Sequence, residues 1–320
     1  MRNLIPTIFL AIGALVSASG YAQAFPSKPI TIVVPAGAGG GNDMIAREFG
    51  RRLSERVGQP VVIENKPGAE TLIALNHIAQ ATPDGHTLLV TSAPFAIGPL
   101  ILRAFKFDQI NDLTHIGTLV DSPAYLYTSS KMPFSNLAEL AAYGRANPGK
   151  LNMGSASVGN MLDAALVFDA LKIDVTSVNY PSGSRATTAV LAGEVQLGAA
   201  SYPALKAHVQ AGTVKLLGTF APTRSALTPN VPSIVESQPQ FTGTVFKTGL
   251  SGPKGLPAEV VAKLNAEINA IVRDPAFAAR MADLTGGQVS GGTPDQWKTA
   301  FSVEFEKYKK AVRLLNYEPK

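Results

Sequence analysis

The 320-residue chain is 46% hydrophobic and 16% charged, the balance of a folded globular protein, which excludes disorder as its main state. Its formal net charge of +5 comes from Lys and Arg residues scattered along the chain, with no basic run and no interleaved aromatics, so nucleic acid is not an expected partner. With no cysteine there is neither a disulfide staple nor thiolate chemistry, and the lack of thiols suits an exported protein.

The first residues read as an address. Met1-Arg2-Asn3 is a short basic start, Leu4 to Val16 is mostly apolar, and Ala22-Gln23-Ala24 is a cleavage site before Phe25. Residues 1–24 are therefore expected to be a signal peptide, and the apolar run, broken by Pro6, is too short for a membrane anchor. No later segment is long and apolar enough to span. The remaining residues, 25–320, suit two lobes better than a single core.

The stretch Ile30 to Asp43 organises the rest of the chain. Ile30 to Val34 is rich in β-branched residues and reads as a buried strand; Pro35 ends it, and four glycines lie between Gly37 and Gly41. Asn42 or Asp43 then caps a helix whose apolar face carries Ile45, Phe49, Leu53 and Val57. Such a loop is an anion site in form: glycines permit positive φ and close approach, and the unpaired N–H groups of a first helical turn point into it. A Walker A loop is excluded because Gly41 is followed by Asn42-Asp43 in place of Lys-Ser/Thr, and a dinucleotide fingerprint would place Asn42 where Gly or Ala is needed. A glycine-rich turn without a ligand is the plainer alternative.

Further strands are predicted at Pro60–Glu64 and His86–Thr91, with a helix at Thr71–Gln80 between them. This β-α-β-α-β alternation predicts an α/β fold with a mostly parallel sheet, whose ligands sit beyond the carboxyl ends of the strands, at the loops after Val34 and after Thr91, the latter opening with Ser92. A second unit starts with a strand at Tyr125–Ser129, a helix from about Ser135 to Asn147 and a strand at Lys150–Met153. Ser155 and Ser157 lead into a helix ending at Leu171; after the strand Thr176–Tyr180, Pro181-Ser182-Gly183-Ser184 opens another, ending near Gly193. These loops repeat the anion geometry of the first in miniature, with plain N-capping by serine as the alternative. The rest is a strand at Val214–Phe220, a Pro-rich passage through Pro239, a strand at Val245–Leu250, and helices at Pro257–Arg273 and Thr293–Leu315. Thr293 and Gln296 form a capping box, and Trp297, Phe301, Phe305, Tyr308 and Val312 repeat at helical spacing, a stripe expected to be core.

No catalytic constellation emerges. His77, His86, His115 and His208 are far apart, and neither a zinc motif nor G-x-S-x-G occurs. No cofactor or metal is expected.

The run Phe25-Pro26-Ser27-Lys28-Pro29-Ile30, with Val33-Val34-Pro35 and Gly39-Gly40-Gly41-Asn42-Asp43, resembles the start of the mature Bug-type receptors, the solute-binding proteins of tripartite tricarboxylate transporters. The resemblance continues through Gly58–Ala69, Pro83–Leu89, Pro148–Ser155 and Lys263-Leu264-Asn265. It implies a two-lobed periplasmic binding protein that closes on a small carboxylic acid and hands it to membrane transporter subunits, without catalysis. Lobe 1 would be 25–124 plus 246–320 and lobe 2 would be 125–245, in a monomer. The carboxylate would lie between Pro35–Asp43, which includes Ala36, Gly37, Gly39, Gly40, Gly41, Asn42 and Asp43, and Tyr180–Ser184, held by backbone N–H groups and water. Ser92, Ser155, Ser157, Tyr180, Ser182, Gly183, Ser184 and Arg185 complete the expected site. Four positions depart from the family: Ala36 replaces a frequent aromatic, Pro181-Ser182 a Lys-Gly pair, and Glu70 a glycine, while Arg185 begins the helix after the second loop. Ala36 and Arg185 favour a dicarboxylate or an aromatic carboxylate. A ligand sensor for a membrane histidine kinase and a secreted hydrolase are the competing functions.

Overall fold

The structure, a computed structural model, describes residues 25–315 and Glu318; the expected signal peptide lies outside the described residues. Strand β1 (Ile30–Val34) has Ile30, Ile32, Val33 and Val34 without solvent exposure, because neighbours flank it on both edges and both faces. Helix α1 (Gly41–Val57) lays Ile45, Ala46, Phe49 and Leu53 on this sheet and stops at Gly58, whose φ of 70° lets its N–H reach back to the Ser54 carbonyl. After β2 (Val61–Asn65), α2 (Leu72–Ala79) and β3 (Thr87–Ser92), the chain makes a 3-10 turn at Ala93–Ile97 and the one-turn α3 (Gly98–Ile101). It then enters β4 (Leu113–Ser122), crosses at Pro123, and starts the second sheet with β5 (Ala124–Ser129).

The second lobe comprises α4 (Leu137–Ala146), β6 (Asn152–Ser155), α5 (Val158–Leu171), β7 (Thr176–Asn179), α6 (Gly183–Ala192), β8 (Leu197–Ser201), α7 (Tyr202–Gln210) and β9 (Val214–Thr219). The chain then returns through residues 220–245 to β10 (Phe246–Pro253) of the first sheet. It finishes with α8 (Ala258–Val272), α9 (Pro275–Thr285), β11 (Gln288–Val289) and α10 (Pro294–Leu314).

The strand orders are β11-β4-β10-β3-β1-β2 and β7-β6-β8-β5-β9, so the molecule is a two-lobed α/β protein. Both sheets are mixed, with most strands of each running in one direction: β10 and β11 oppose the rest of the first sheet and β5 opposes the rest of the second. Successive strands of the β-α-β units are parallel, β1 to β2 and β3 in one sheet, β6 to β7 and β8 in the other. The strands that carry the chain between lobes arrive without a helical crossover and run the other way: β10 is antiparallel to β3 and β4, and β5 to β8 and β9.

Helix α10 belongs to both lobes. The capping box at its start forms, with Gln296 N–H donating to Thr293 Oγ1 at 3.2 Å and Thr293 N–H to Gln296 Oε1 at 2.8 Å. Trp297 and Phe301 pack with Ala93 and Ala96 of the first lobe, whereas Tyr308 and Ala311 join the core of the second lobe beside Leu162 and Leu166. Ile97 and Ile101 are buried in that same second-lobe core. At the junction Lys307 Nζ lies 3.2 Å from Asp163 Oδ1 of α5 and 2.5 Å from Glu304 Oε2. Thr244, on the returning passage, donates its hydroxyl to Asp163 at 2.8 Å, and the Tyr308 hydroxyl reaches the other Asp163 oxygen at 3.4 Å.

Candidate functional site

The glycine loop is held from below by one carboxylate. Asp43, only 2% exposed, accepts from the Gly39 N–H at 2.8 Å, from Arg47 Nε at 2.9 Å and from the Asn65 amide at 2.9 Å. Burial pushes the Asp43 carboxyl up, but the Arg47 guanidinium, the Gly39 N–H and the Asn65 amide together hold it below its ordinary value. The Asn65 amide also donates to the Ala36 carbonyl at 3.0 Å, and the Gly40 N–H to Gly37 at 3.3 Å, so the loop is braced at both ends. Gly39 has φ of 80°, a conformation that favours glycine. Gly40 caps α1 without a side chain, and the N–H groups of Gly41, Asn42 and Asp43 have no hydrogen-bond acceptor among the described residues.

Gly41 and Asn42, which carry two of those free donors, border a cavity of about 440 Å³ between the two sheets. The Asn42 side-chain oxygen accepts from Ser92 Oγ and from Thr248 Oγ1, each at 3.3 Å, and the two hydroxyls are 3.0 Å apart, so the start of α1, the end of β3 and β10 meet at one polar corner. Ala36 in the loop and Gly41, Met44 and Ile45 of α1 continue the wall; Phe95, Ser122, Phe246, Leu284 and Thr285 add to it from the rest of the first lobe. Ser201, Pro203 and Ala204, where β8 turns into α7, close it from the second lobe.

Of the residues predicted from sequence, Ala36, Gly41, Asn42 and Ser92 border the cavity, Gly37, Gly39 and Gly40 shape the exposed loop beside it, and Asp43 points inward as a brace. The second-lobe set sits at the ends of β6 and β7, with Ser157 Oγ and the Phe246 ring of the cavity wall each 3.6 Å from where a Cβ on Gly159 would lie. Ser157 caps α5 by accepting from the Asn160 N–H at 3.3 Å, and the buried Ser155 bonds Ser157. Ser182 caps α6 by accepting from the Arg185 N–H at 3.3 Å and lies 3.0 Å from Ser184; Gly183, Ser184 and Arg185 are exposed. The Tyr180 ring is partly buried against Gly154, and its N–H ties the loop to Ser155. The cavity's second-lobe wall, Ser201 to Ala204, has one signal in the sequence, a Ser-Tyr-Pro step of the kind that opens a helix.

Among the described residues no group of His, Asp and Glu is arranged to hold a metal ion. His115 is a core residue, its ring 5.0 Å from Phe301 and its Nδ1 3.4 Å from the buried Ser251 hydroxyl, and burial pushes its pKa down to about 4. Ser251 also accepts from Trp297 Nε1 at 3.1 Å.

A family model described as tripartite tricarboxylate transporter family receptor matches residues 45–314. The BugT protein of Bordetella pertussis is 28% identical, with 98% of this chain and 97% of that protein covered. The solved structure of Rpa4515 from R. palustris with adipate is 26% identical, covers 92% of this chain and 100% of its own, and superposes with a TM-score of 0.80. MatC from Rhodopseudomonas palustris with bound malate gives 28% identity, 90% and 100% coverage, and a TM-score of 0.75.

Proposed function

Because the chain belongs to the tripartite tricarboxylate transporter receptor family, we propose that it captures a small organic carboxylate between its lobes and delivers it to membrane transporter subunits of that type. The observation that carries this is the set of unpaired α1 N–H groups at the border of a cavity walled by both sheets. Backbone donors at a helix N-terminus suit a carboxylate, and a volume of about 440 Å³ lies within the usual range for small-ligand pockets. The adipate and malate bound by the two relatives are small carboxylates, and a dicarboxylate or an aromatic carboxylate is the candidate class here.

The lobes are taken as residues 25–124 with 246–320, and 125–245; the ligand stabilises their closed arrangement by touching Asn42 and Ser92 on one side and Ser201 on the other. Residues 1–24 direct the chain to the periplasm. The test is a thermal-shift screen of the purified protein, refolded to strip carried-over ligand, against mono-, di- and tricarboxylates and aromatic acids. A ligand at 100 times its Kd adds about 2.7 kcal/mol to stability, a shift of several degrees. A shift with one acid class, the acid being recovered unchanged, supports the receptor. Silence across the whole panel overturns it.

A further inference from the structure

We infer that the first lobe carries a further small-molecule site, which takes a neutral aromatic ring bearing one hydrogen-bond donor. The cavity between the sheets plays no part in it, and the two places share no wall residue. The site is a hollow of about 300 Å³ where α10 meets the irregular stretch 102–112. Much of its wall is Pro99, Phe105, Phe107, Ile110 and Phe305. Gly98 makes room for this arrangement, since a Cβ there would meet the Phe105 ring at 2.4 Å. Three phenyl rings around one space suit a fourth, which can pack edge-on or offset against them. At the rim Lys106 and Asp108 are exposed and opposite in charge, so the hollow does not select an ion.

The donor is called for by Gln109. This residue borders the hollow and is only 3% exposed. One end of its amide lies 2.6 Å from the Phe95 carbonyl, and because a carbonyl can only accept, that end is the nitrogen. The other end is therefore the oxygen, which is buried and meets no donor among the described residues. A buried acceptor without a donor is a standing cost to the fold, and an O–H or N–H carried in on a ring would remove it. The 3-10 turn Ala93–Ile97 serves both places, with Phe95 on the wall of the cavity and Ala96 on that of the hollow. A ring held between this turn and Phe305 would brace the chain where Phe95 reaches the cavity.

The test is an NMR titration of the whole protein, labelled at its isoleucine methyl groups, with phenol and with toluene, which has nearly the same shape and no donor. Two methyls report separately, because Ile110 borders the hollow and Ile45 borders the cavity between the sheets. The expected result is a saturable shift of the Ile110 signal on adding phenol, with Ile45 unmoved and a Kd below about 1 mM. Phenol should bind about tenfold more tightly than toluene, the loss that follows when a buried acceptor stays unmet. Equal or tighter binding of toluene overturns the donor and with it the ligand class. No saturable shift of Ile110 at millimolar phenol, or a shift of Ile45 alone, overturns the site. Phe305→Ala, at a partly exposed position, removes one wall and should weaken phenol about tenfold. An unchanged affinity in that variant overturns the inference, and if the variant does not fold, the methyl shifts of the parent still decide.

Discussion

Replacing Lys307 with Met removes the cation that faces two buried carboxylates at the junction of the lobes. Asp163 is 1% exposed and Glu304 is 9% exposed, so neither can recover hydration by a small side-chain movement. Burial pushes both carboxyl groups up, and Lys307 is what draws them back toward the charged form. Breaking a buried pair by removing one partner costs about 3–5 kcal/mol. For a protein of this size that is a fall in Tm on the order of 10 °C. The assay is thermal and urea unfolding of Lys307→Met at pH 8 and pH 5. A carboxyl group whose pKa is raised by folding gives stability at low pH that is lost as pH rises through the folded value. With the ammonium gone that rise is larger, so the deficit of the variant should be greater at pH 8 than at pH 5. Adding Asp163→Asn to Lys307→Met should recover part of the loss, because the amide needs no counter-charge. A cost under about 1 kcal/mol at pH 8, or a deficit independent of pH, would refute the reasoning that Lys307 compensates buried charge.

Asp43→Ala leaves the Gly39 N–H and the Asn65 amide without their acceptor, costing about 1–3 kcal/mol of stability and weakening ligand binding, as unfolding and calorimetry would show. Because the Asp43 pKa is lowered by folding, its contribution is present above the ordinary carboxylate value and is lost as pH falls through the folded one; Asp43→Ala should flatten the acid limb of the stability curve. His115 has a folded pKa of about 4 against 6.5 unfolded, so the parent should lose about 3 kcal/mol as pH falls from 6.5 to 4, and His115→Phe should lose less over the same interval. Arg185→Ala should leave the affinities for a dicarboxylate and for the monocarboxylate of the same chain length, measured by calorimetry, within about twofold of the parent, whereas a tenfold loss confined to the dicarboxylate would give Arg185 the second-carboxylate role.

The elements legible in the sequence are those whose side chains alone describe their surroundings. β1 is buried on every side and is a run of β-branched residues; α10 has one apolar stripe and a capping box, and both form where expected. No element is predicted from sequence for residues 92–124, which hold β4, and none for β8, α7 or α9. In β4 and β8 the hydrophobic signal is diluted because a neighbour needs the space. A Cβ on Gly117 would meet the Asn265 amide at 2.9 Å, where α8 crosses the sheet, and one on Gly198 would meet the Tyr127 ring at 2.4 Å. These demands come from other parts of the fold and favour glycine at those two positions. The site divides in the same way. The glycine loop declares itself locally, but Phe95, Phe246, Leu284 and Ser201 reach the cavity only through tertiary placement, while Ser157 and Ser182 cap α5 and α6 as serines before a helix ordinarily do.

Helix α10 also makes the molecule its own reporter. Trp297 is the only tryptophan, fully buried and hydrogen-bonded to Ser251, and it does not border the cavity. Its emission is therefore blind to direct quenching by a bound acid. A spectral change on adding ligand reaches it either through β10, where Gly249 beside the ring adjoins Thr248 of the cavity wall, or along the helix from the Tyr308 end, which is bonded to α5 of the other lobe. A silent tryptophan would mean that the helix rides with the first lobe and the slip occurs among Asp163, Lys307 and Tyr308.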